Sequence, residues 1–380
     1  MNWLSITLRT PPFGSFPCIS SEQSAAIGMT GVGISISGQR LNVMATHGDV
    51  RFQGSLLMRI LWEAGVRPGD KVYVADDPRY NLISIYMVRA ITDIHATNIY
   101  VASERSKRNA QYTAKAIAPN HYFLTPTYAS YIAGLLKQEQ KNPLPIKSIF
   151  GWGEPGFSIP GKREVLQKQW EAVSSIRPFQ IMDIYAMSEA GVLAGACKKA
   201  KGLHGFEDAV IYEVLDPESD RSLKEGEKGE LVITHLNPGA MPLIRYRTGD
   251  VTSLDRSPCP CGRTHVRLMG IDRLSDIIRV KGRTIYANEV EEVLHQSGEM
   301  VNFRIIKESD QMDELKVLLT DRKIAPQVQA RLKEKFGIPV SVELKDAQTL
   351  PPYVHRSFRV FYPDREKIYQ EIYEYQYTVE

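Results

Sequence analysis

The sequence predicts an α/β protein with a large N-terminal domain of mixed and parallel sheet flanked by helices, and a small C-terminal α+β domain. Three patterns predict it. Helical and strand periodicities alternate from Val50 to about Pro178, as in a mostly parallel sheet covered on both faces. From Asp208 to Asp250 apolar and polar residues alternate between turns, which indicates antiparallel strands. After about Ser275 the order becomes strand, helix, strand, strand, helix, strand.

The segment to about Ser24 is rich in Pro, Ser and Phe and reads as an irregular lead-in. The glycine-rich run Ala25–Gly33 precedes an alternating strand, Ile34–Ser37. Such a run makes either a hairpin turn or a loop whose N–H groups approach phosphate. It has no lysine, and Thr30 is its one hydroxyl. Helical spacing runs from Ser55 to Ala64 and closes at Gly65. Strands follow at Lys71–Ala75, Asn98–Val101, His121–Leu124, Ser148–Gly151 and Phe179–Tyr185. Helices surround Ala114 and span Tyr128–Leu136 and Lys162–Val173. Antiparallel strands Asp208–Leu215 and Gly229–Thr234 are separated by turns at Asp216-Pro217 and Glu225-Gly226. The last part predicts strand Ile277–Val280, helix Asn288–His295, strands Asn302–Ile306 and Leu315–Leu319, helix Gln327–Phe336 and strand Val340–Leu344. That order fits a ferredoxin-like domain. A hinge near Leu274-Ser275-Asp276 would divide residues 1–274 from 275–380.

A chain of 380 residues is too long for one ordinary core. Its apolar and charged fractions, 43% and 24%, are those of a soluble globular protein. A formal charge of +3 is too small to indicate nucleic acid or an anionic membrane as partner, and no apolar run reaches the length of a membrane span. Met1–Ser20 has no continuous apolar core or cleavage site, so no signal peptide is expected. Four cysteines make no disulfide framework, which predicts a cytoplasmic protein.

Three stretches carry chemistry. Met241-Pro242-Leu243-Ile244-Arg245-Tyr246-Arg247-Thr248-Gly249-Asp250 sets two arginines and an aspartate around a Gly-permitted turn. The aspartate suits a pair of ribose hydroxyls, and the arginine forks suit phosphate or carboxylate; a strand ending in a surface turn is the alternative. Trp152-Gly153-Glu154-Pro155 and Tyr185-Ala186-Met187-Ser188-Glu189 fall beyond the carboxyl ends of predicted strands, where ligands collect. There Tyr185 suits stacking on a flat base. Glu189 suits either a divalent cation or a helix N-terminus. The third set is Cys197, His204, Cys259 and Cys261: three thiolates and an imidazole make a closed tetrahedral zinc set, with His265 a rival fourth ligand and buried free cysteines the alternative.

Taken together, these stretches resemble the adenylate-forming superfamily, specifically its phenylacetate–coenzyme A ligase branch. Asp183-Ile184-Tyr185-Ala186-Met187-Ser188-Glu189 matches that branch's Asp-x-Tyr-Gly-x-Ser-Glu, and Met241–Asp250 matches its Met-Pro-x-Ile-Arg-Tyr-Arg-Thr-x-Asp. Cys259-Pro260-Cys261-Gly262-Arg263-Thr264 resembles the zinc loop of many members, and Arg273–Gly282 resembles the interdomain hinge. The resemblance runs from about Ala25 to Val360.

It implies a two-step reaction. A carboxylate attacks the α-phosphate of ATP to give an acyl-adenylate and pyrophosphate; the smaller domain then turns, and a thiol, usually coenzyme A, displaces AMP. The acid would be small and aromatic. By resemblance, Asp250 binds the ribose with Arg247 nearby, Tyr185 the adenine, and Glu189 the magnesium. Gly28, Thr30 and Gly31 bind the phosphates, Arg273 holds the nucleotide, and Ser275 is the pivot. Gly153, Glu154 and Pro155 line the adenine side, with Asp183, Ala186, Met187 and Ser188 completing the motif. The acid pocket draws on Tyr122–Tyr128 and the Trp152 loop. The short N-terminal region leaves room for a homodimer contact.

The sequence departs from the family at defined points. Ala26, Ile27, Met29, Val32 and Gly33 replace most of the phosphate loop's hydroxyls, and Ser275 stands where Asp or Lys is usual. Arg356 takes the position of the catalytic lysine, keeping its charge but not its reach. These departures leave two alternatives open: a nucleotide- or acid-binding relative without turnover, and an adenylating enzyme whose acceptor is an amine or another nucleophile.

Overall fold

The computed structural model describes residues 26–29, 42–75, 82–100, 107–139, 142–199, 202–237, 239–346 and 359–362. Strands β1 (Ala26–Met29) and β2 (Asn42–Ala45) form an antiparallel pair. Helix α1 (His47–Glu63) starts eight residues earlier than its apolar spacing predicts, because Thr46 and Asp49 form a reciprocal capping box. Its stop agrees with prediction: Gly65 takes φ +96°, a conformation costly for other residues.

Five strands then run parallel: β3 (Lys71–Val74), β4 (Thr97–Tyr100), β5 (His121–Leu124), β6 (Ser148–Gly151) and β7 (Gln180–Met187). Their spatial order is β4-β3-β5-β6-β7, a doubly wound arrangement. Alternate side chains leave the sheet on opposite faces. Val72, Val74, Phe123 and Phe150 join one core with α1 and α2 (Leu82–Asp93), a helix not anticipated from the sequence. Tyr73, Tyr122 and Ile149 join another with α4 (Pro126–Glu139) and α5 (Pro160–Val173). Helix α3 (Lys107–Ala116) connects β4 to β5. Trp170 of α5 is fully buried, and its indole N–H donates to the Ala129 carbonyl at 3.1 Å; truncating such a residue costs roughly 3–5 kcal/mol.

Strand β7 is the seam. Its first half pairs in parallel with β6, ending at Gly151 opposite Asp183; its second half pairs antiparallel with β8 (Gly191–Ala196), beginning at Ile184 opposite Gly195. From there β9 (Leu203–Gly205), β13 (Arg267–Arg273), β12 (Tyr246–Asp255), β11 (Gly229–His235) and β10 (Val210–Leu215) extend the sheet antiparallel. Strands β8, β9 and β13 were not read from the sequence. The turn expected at Gly249 is also different from expectation. Gly249 has φ +68° but lies inside β12, which runs on five residues beyond Asp250.

The C-terminal part has its own core, from Ile278 to Val360. The predicted strand-helix-strand-strand-helix-strand order is present: β14 (Ile278–Val280), α6 (Ala287–His295), β16 (Phe303–Ile306), β17 (Leu315–Leu319), α7 (Ala325–Phe336) and β18 (Val340–Leu344). The ferredoxin-like pairing needs correction. Strand β14 folds back on β15 (Arg283–Ile285) through Lys281 and Gly282, both at positive φ, the geometry of a two-residue hairpin. With that edge filled locally, β14 reaches its neighbours by one bridge, Val280 to Met312. The four-stranded sheet is instead β18-β17-β16-β19, with β19 (Val360–Phe361) parallel to β16.

Candidate active site

The seam strand, the turn after it and two antiparallel strands converge on one buried cluster. Tyr185 of β7 donates from its hydroxyl to Asp250 Oδ2 at 2.7 Å. Arg273 of β13 lies directly opposite Asp250 in the β12–β13 register and reaches Oδ1 through Nε at 3.2 Å. Tyr246, four residues upstream on β12, donates to Glu189 Oε1 at 3.1 Å. Asp250 is fully buried. Burial would lower the Arg273 pKa, but Asp250, Asp276 and Glu189 outweigh it and hold the guanidinium charged. Burial and the Glu189 carboxylate push the Tyr246 phenol well above its ordinary value, so it remains a donor.

Glu189 Oε2 is buried without a hydrogen-bond partner. Leaving a carboxylate oxygen so costs free energy unless a cation or donor meets it, so this residue fits a divalent ion. Asp250 fits a ribose: each engaged oxygen retains a second lone pair.

The two arginines of the same stretch face carboxylates of their own chain. Arg245 reaches Glu213 at 3.2 Å on the sheet edge. Arg247, expected beside the nucleotide, donates from Nε to Glu230 Oε2 at 2.7 Å and also pairs with Asp220. Alternation along β12 puts it across the sheet from Tyr246. Glu230 Oε1 in turn accepts from the Gly249 N–H at 3.2 Å, so Arg247 braces the kink that presents Asp250.

The loop after β6 is held from three sides. Gly153 takes φ +78°. Glu154 is buried and accepts from Thr127 Oγ1 at 2.8 Å and from the Thr127 N–H, at the N-terminus of α4. The Pro155 carbonyl accepts from Lys162 at 3.1 Å. Asp183 accepts from the Ser158 N–H at 3.0 Å, and burial raises its pKa to about 6. Glu154 and Asp183 thus shape this loop through contacts within the protein. Ala186 and Met187 complete β7, while Ser188 lines a small recess beside Glu189. Tyr122, expected in the acid pocket, is instead packed between Tyr73 and Trp170 in the core. Phe123 stacks on Trp152 with ring centroids 5.5 Å apart.

Gly28 lies on β1 opposite Val43. Thr30, Gly31 and Arg356 lie outside the described residues. Ser275 donates to Asp276 Oδ1 at 3.1 Å, and its carbonyl accepts from Lys307 and Tyr362.

The Cys/His set comes together as a unit. The candidate ligand atoms of Cys197, His204, Cys259 and Cys261 all lie within 4.8 Å of one another. Cys197 Sγ is 3.8 Å from Cys259 Sγ, and Cys261 Sγ is 3.4 Å from His204 Nε2. Tetrahedral zinc, with Zn–S of about 2.3 Å and Zn–N of about 2.0 Å, separates such pairs by roughly 3.8 and 3.5 Å. His265 instead donates to the Gly205 carbonyl at 3.1 Å. Arg267, unremarked in the sequence, is fully buried and ties Asp255 and Ser257 to the base of this loop.

No protein-family model matches the chain. It is 29% identical over 295 residues to the phenylacetate–coenzyme A ligase of Thermus thermophilus, covering 76% of this chain and 63% of that enzyme. The Escherichia coli phenylacetate–coenzyme A ligase is 25% identical over 345 residues, covering 83% of this chain and 74% of the relative. Among solved structures, 2-hydroxyisobutyryl-CoA ligase in its postadenylation state, in complex with 2-HIB-AMP, matches with TM-score 0.79 and 25% identity over 97% of this chain and 80% of its own. In sequence and in fold the chain is similar to the adenylate-forming superfamily, on its phenylacetate–coenzyme A ligase-like branch. Its matched region spans 63% of the length of the Thermus relative.

Against an open form of the same 2-hydroxyisobutyryl-CoA ligase, and against its thioesterification state, this chain scores only 0.65 and 0.64. The chain thus superposes better on the postadenylation form of that ligase than on the other two. The contact made in that arrangement is a buried charge cluster that the sequence did not signal. Lys162 on α5 meets Glu291 on α6 at 2.7 Å, and Arg359 reaches Glu291 at 3.0 Å and Asp272 at 3.4 Å. Burial would lower the Lys162 pKa, but Glu154 and Glu291 raise it above its ordinary value; Lys162, His295 and Arg359 hold the Glu291 carboxyl low against its own burial. A cavity of about 230 Å³ opens beside them, bounded by Thr127, Tyr131, Glu154, Met300 and Phe303.

Proposed function

We propose that this protein activates a small, aromatic carboxylic acid with ATP as an acyl-adenylate and transfers the acyl group to coenzyme A. One observation carries the reading: Tyr185, Glu189, Asp250 and Arg273, from three strands and a turn, converge in one cluster with an unpartnered carboxylate oxygen on Glu189. The family of the relatives supports the reaction type.

In this reading the chain divides at Leu274-Ser275-Asp276 into a large domain, 1–274, and a small mobile domain, 275–380. Asp250 accepts from the ribose hydroxyls, and Tyr185 holds the carboxylate in place from the adenine side. Gly153, Glu154 and Pro155 form the backbone wall of that side. Arg273 fixes Asp250 and adds positive charge near the nucleotide, where negative charge develops at the phosphate. Glu189 would hold magnesium, which supplies charge neutralisation at the phosphates when bound. Gly28, Thr30 and Gly31 would approach the phosphates, and Arg356 would supply the cation of the missing lysine. Cys197, His204, Cys259 and Cys261 would hold a structural zinc that pins the Ser257–Arg263 loop to β8 and β9.

The test is magnesium-dependent pyrophosphate release from ATP with a panel of aryl and short aliphatic acids, with and without coenzyme A. Release with an aryl acid, acyl-CoA formation and a drop of about a hundredfold in Glu189→Gln are expected. Silence across the panel while ATP still binds would overturn the ligase reading, and acid-dependent AMP release indifferent to coenzyme A would overturn its acceptor.

A further inference from the structure

We propose that Lys162 is a latch, whose ion pair with Glu291 holds the C-terminal part docked for adenylate formation and separates when that part turns for thioester formation. This rests on the two-step reading above and assigns the control of its turning point to a named contact.

The two residues sit on helices that feed different cores. Lys162 sits on α5, whose Leu166 and Trp170 join one core; Glu291 sits on α6, whose Val290 and Leu294 join the core that runs from Ile278 to Val360. Both side chains are only 3% exposed. The ammonium is enclosed by Glu291 Oε1 at 2.7 Å, the Pro155 carbonyl at 3.1 Å and Glu154 Oε2 at 3.7 Å. The Glu291 carboxylate also takes Arg359 at 3.0 Å and faces His295 at 3.5 Å.

Such a pair is stable at two extremes. Docked, each charge has its partner; fully parted, each recovers water, and the loss of Coulomb attraction is largely offset by hydration. Part-way, Lys162 keeps only Glu154 at 3.7 Å and the Pro155 carbonyl, and Glu291 keeps Arg359 and His295, so the shortest contact is lost before water replaces it, the costly case. A contact of this kind favours an all-or-none change over gradual loosening. A close backbone approach makes it reachable. A Cβ on Gly161 would lie 3.1 Å from the Glu292 carbonyl oxygen and 3.3 Å from His295 C, so the missing side chain lets α5 end-on meet α6. The same 2-hydroxyisobutyryl-CoA ligase matches this chain with TM-score 0.79 in one state and 0.64 in another, so the docked contact belongs to the first arrangement. Lys162 also touches the Glu154–Pro155 loop assigned to the nucleotide, which puts docking and nucleotide occupancy on one side chain.

The experiment uses full-length protein and separates the half-reactions. Acid-dependent pyrophosphate exchange reports adenylate formation; consumption of presynthesised acyl-adenylate by coenzyme A reports the second step. Lys162→Met should slow the first about tenfold or more while the second stays within about twofold. Gly161→Leu, which changes no charge but blocks the helix approach, should produce the same split. Amide hydrogen exchange across residues 287–295 should rise in both variants without ligand. Equal loss of both half-reactions would reduce Lys162 to a structural residue and overturn the latch, as would unchanged exchange in that helix. If wild-type protein is inert in both half-reactions, the ligase reading fails, and the hydrogen-exchange comparison then decides the docking role by itself.

Discussion

Tyr185 and Asp250, 65 residues apart in sequence, share a 2.7 Å hydrogen bond inside the sheet. It exists because β7 and β12 belong to one continuous sheet. Tyr185→Phe removes the donor but keeps the ring, and should cost roughly 1–3 kcal/mol in denaturant unfolding. Asp250→Ala should weaken ATP binding about a hundredfold or more by calorimetry; unchanged affinity would remove Asp250 from the ribose role.

The Cys259 thiol should be inseparable from both metal and stability. Purified protein is expected to carry one equivalent of zinc by atomic absorption. Cys259→Ser should lose most of it, and thermal unfolding should begin several degrees lower, since a structural site contributes binding energy directly to folding. Stoichiometric zinc in that variant would mean a different ligand set.

Asp183 predicts a specific pH dependence. Its folded pKa, about 6, is raised above the ordinary 3.8 chiefly by burial. A raised acid is protonated more readily in the folded state, so its contribution is favourable at low pH and is lost as pH rises from about 4 to 6. The gap between 3.8 and about 6 corresponds to a loss of ~3 kcal/mol. Asp183→Asn, which keeps an acceptor for Ser158, should therefore gain stability relative to wild type as pH rises through that window. A difference in melting temperature that stays constant from pH 4 to 7 would show that this carboxyl does not titrate there.

A second grouping looks like hydrolase machinery and is predicted to be inert. His121 Nε2 meets Asp70 Oδ2 at 3.1 Å, and Nδ1 meets Ser148 Oγ at 2.6 Å. Both His121 and Ser148 are fully buried, at the amino ends of β5 and β6, opposite the ligand-collecting edge. A nucleophile without access cannot turn over substrate. Fluorophosphonate reagents should leave Ser148 unlabelled, and Ser148→Ala should cost roughly 1–3 kcal/mol in stability with pyrophosphate release unchanged.

The parallel half of the fold was legible because its signals are local. His121–Leu124 and Ser148–Gly151 are short apolar runs between turns, and both are strands with those bounds. The antiparallel half was read less completely. Gly191–Ala196 and Leu203–Gly205 lie buried in the sheet interior and lack polar alternation, so periodicity had nothing to register. Helix Leu82–Asp93 was missed because most of its residues are buried, leaving a weak polar face. For the site, the Tyr185–Glu189 and Arg245–Asp250 stretches named the right segments, but Arg247's partner could not be read. Which side of β12 it occupies depends on the kink at Gly249 and on Glu230 from a neighbouring strand.

By itself the sequence determined the family resemblance, the Tyr185–Glu189 and Met241–Asp250 stretches and the Cys259-Pro260-Cys261 turn, since these are carried by short contiguous motifs. Only the tertiary structure decided that His204 rather than His265 sits among Cys197, Cys259 and Cys261, that Tyr122 belongs to the core, and that β19 rather than β14 completes the C-terminal sheet. It alone brought Lys162 to Glu291 across 129 residues. The physical reason is the same in each case: burial, partner choice and strand pairing are set by which distant segments pack together.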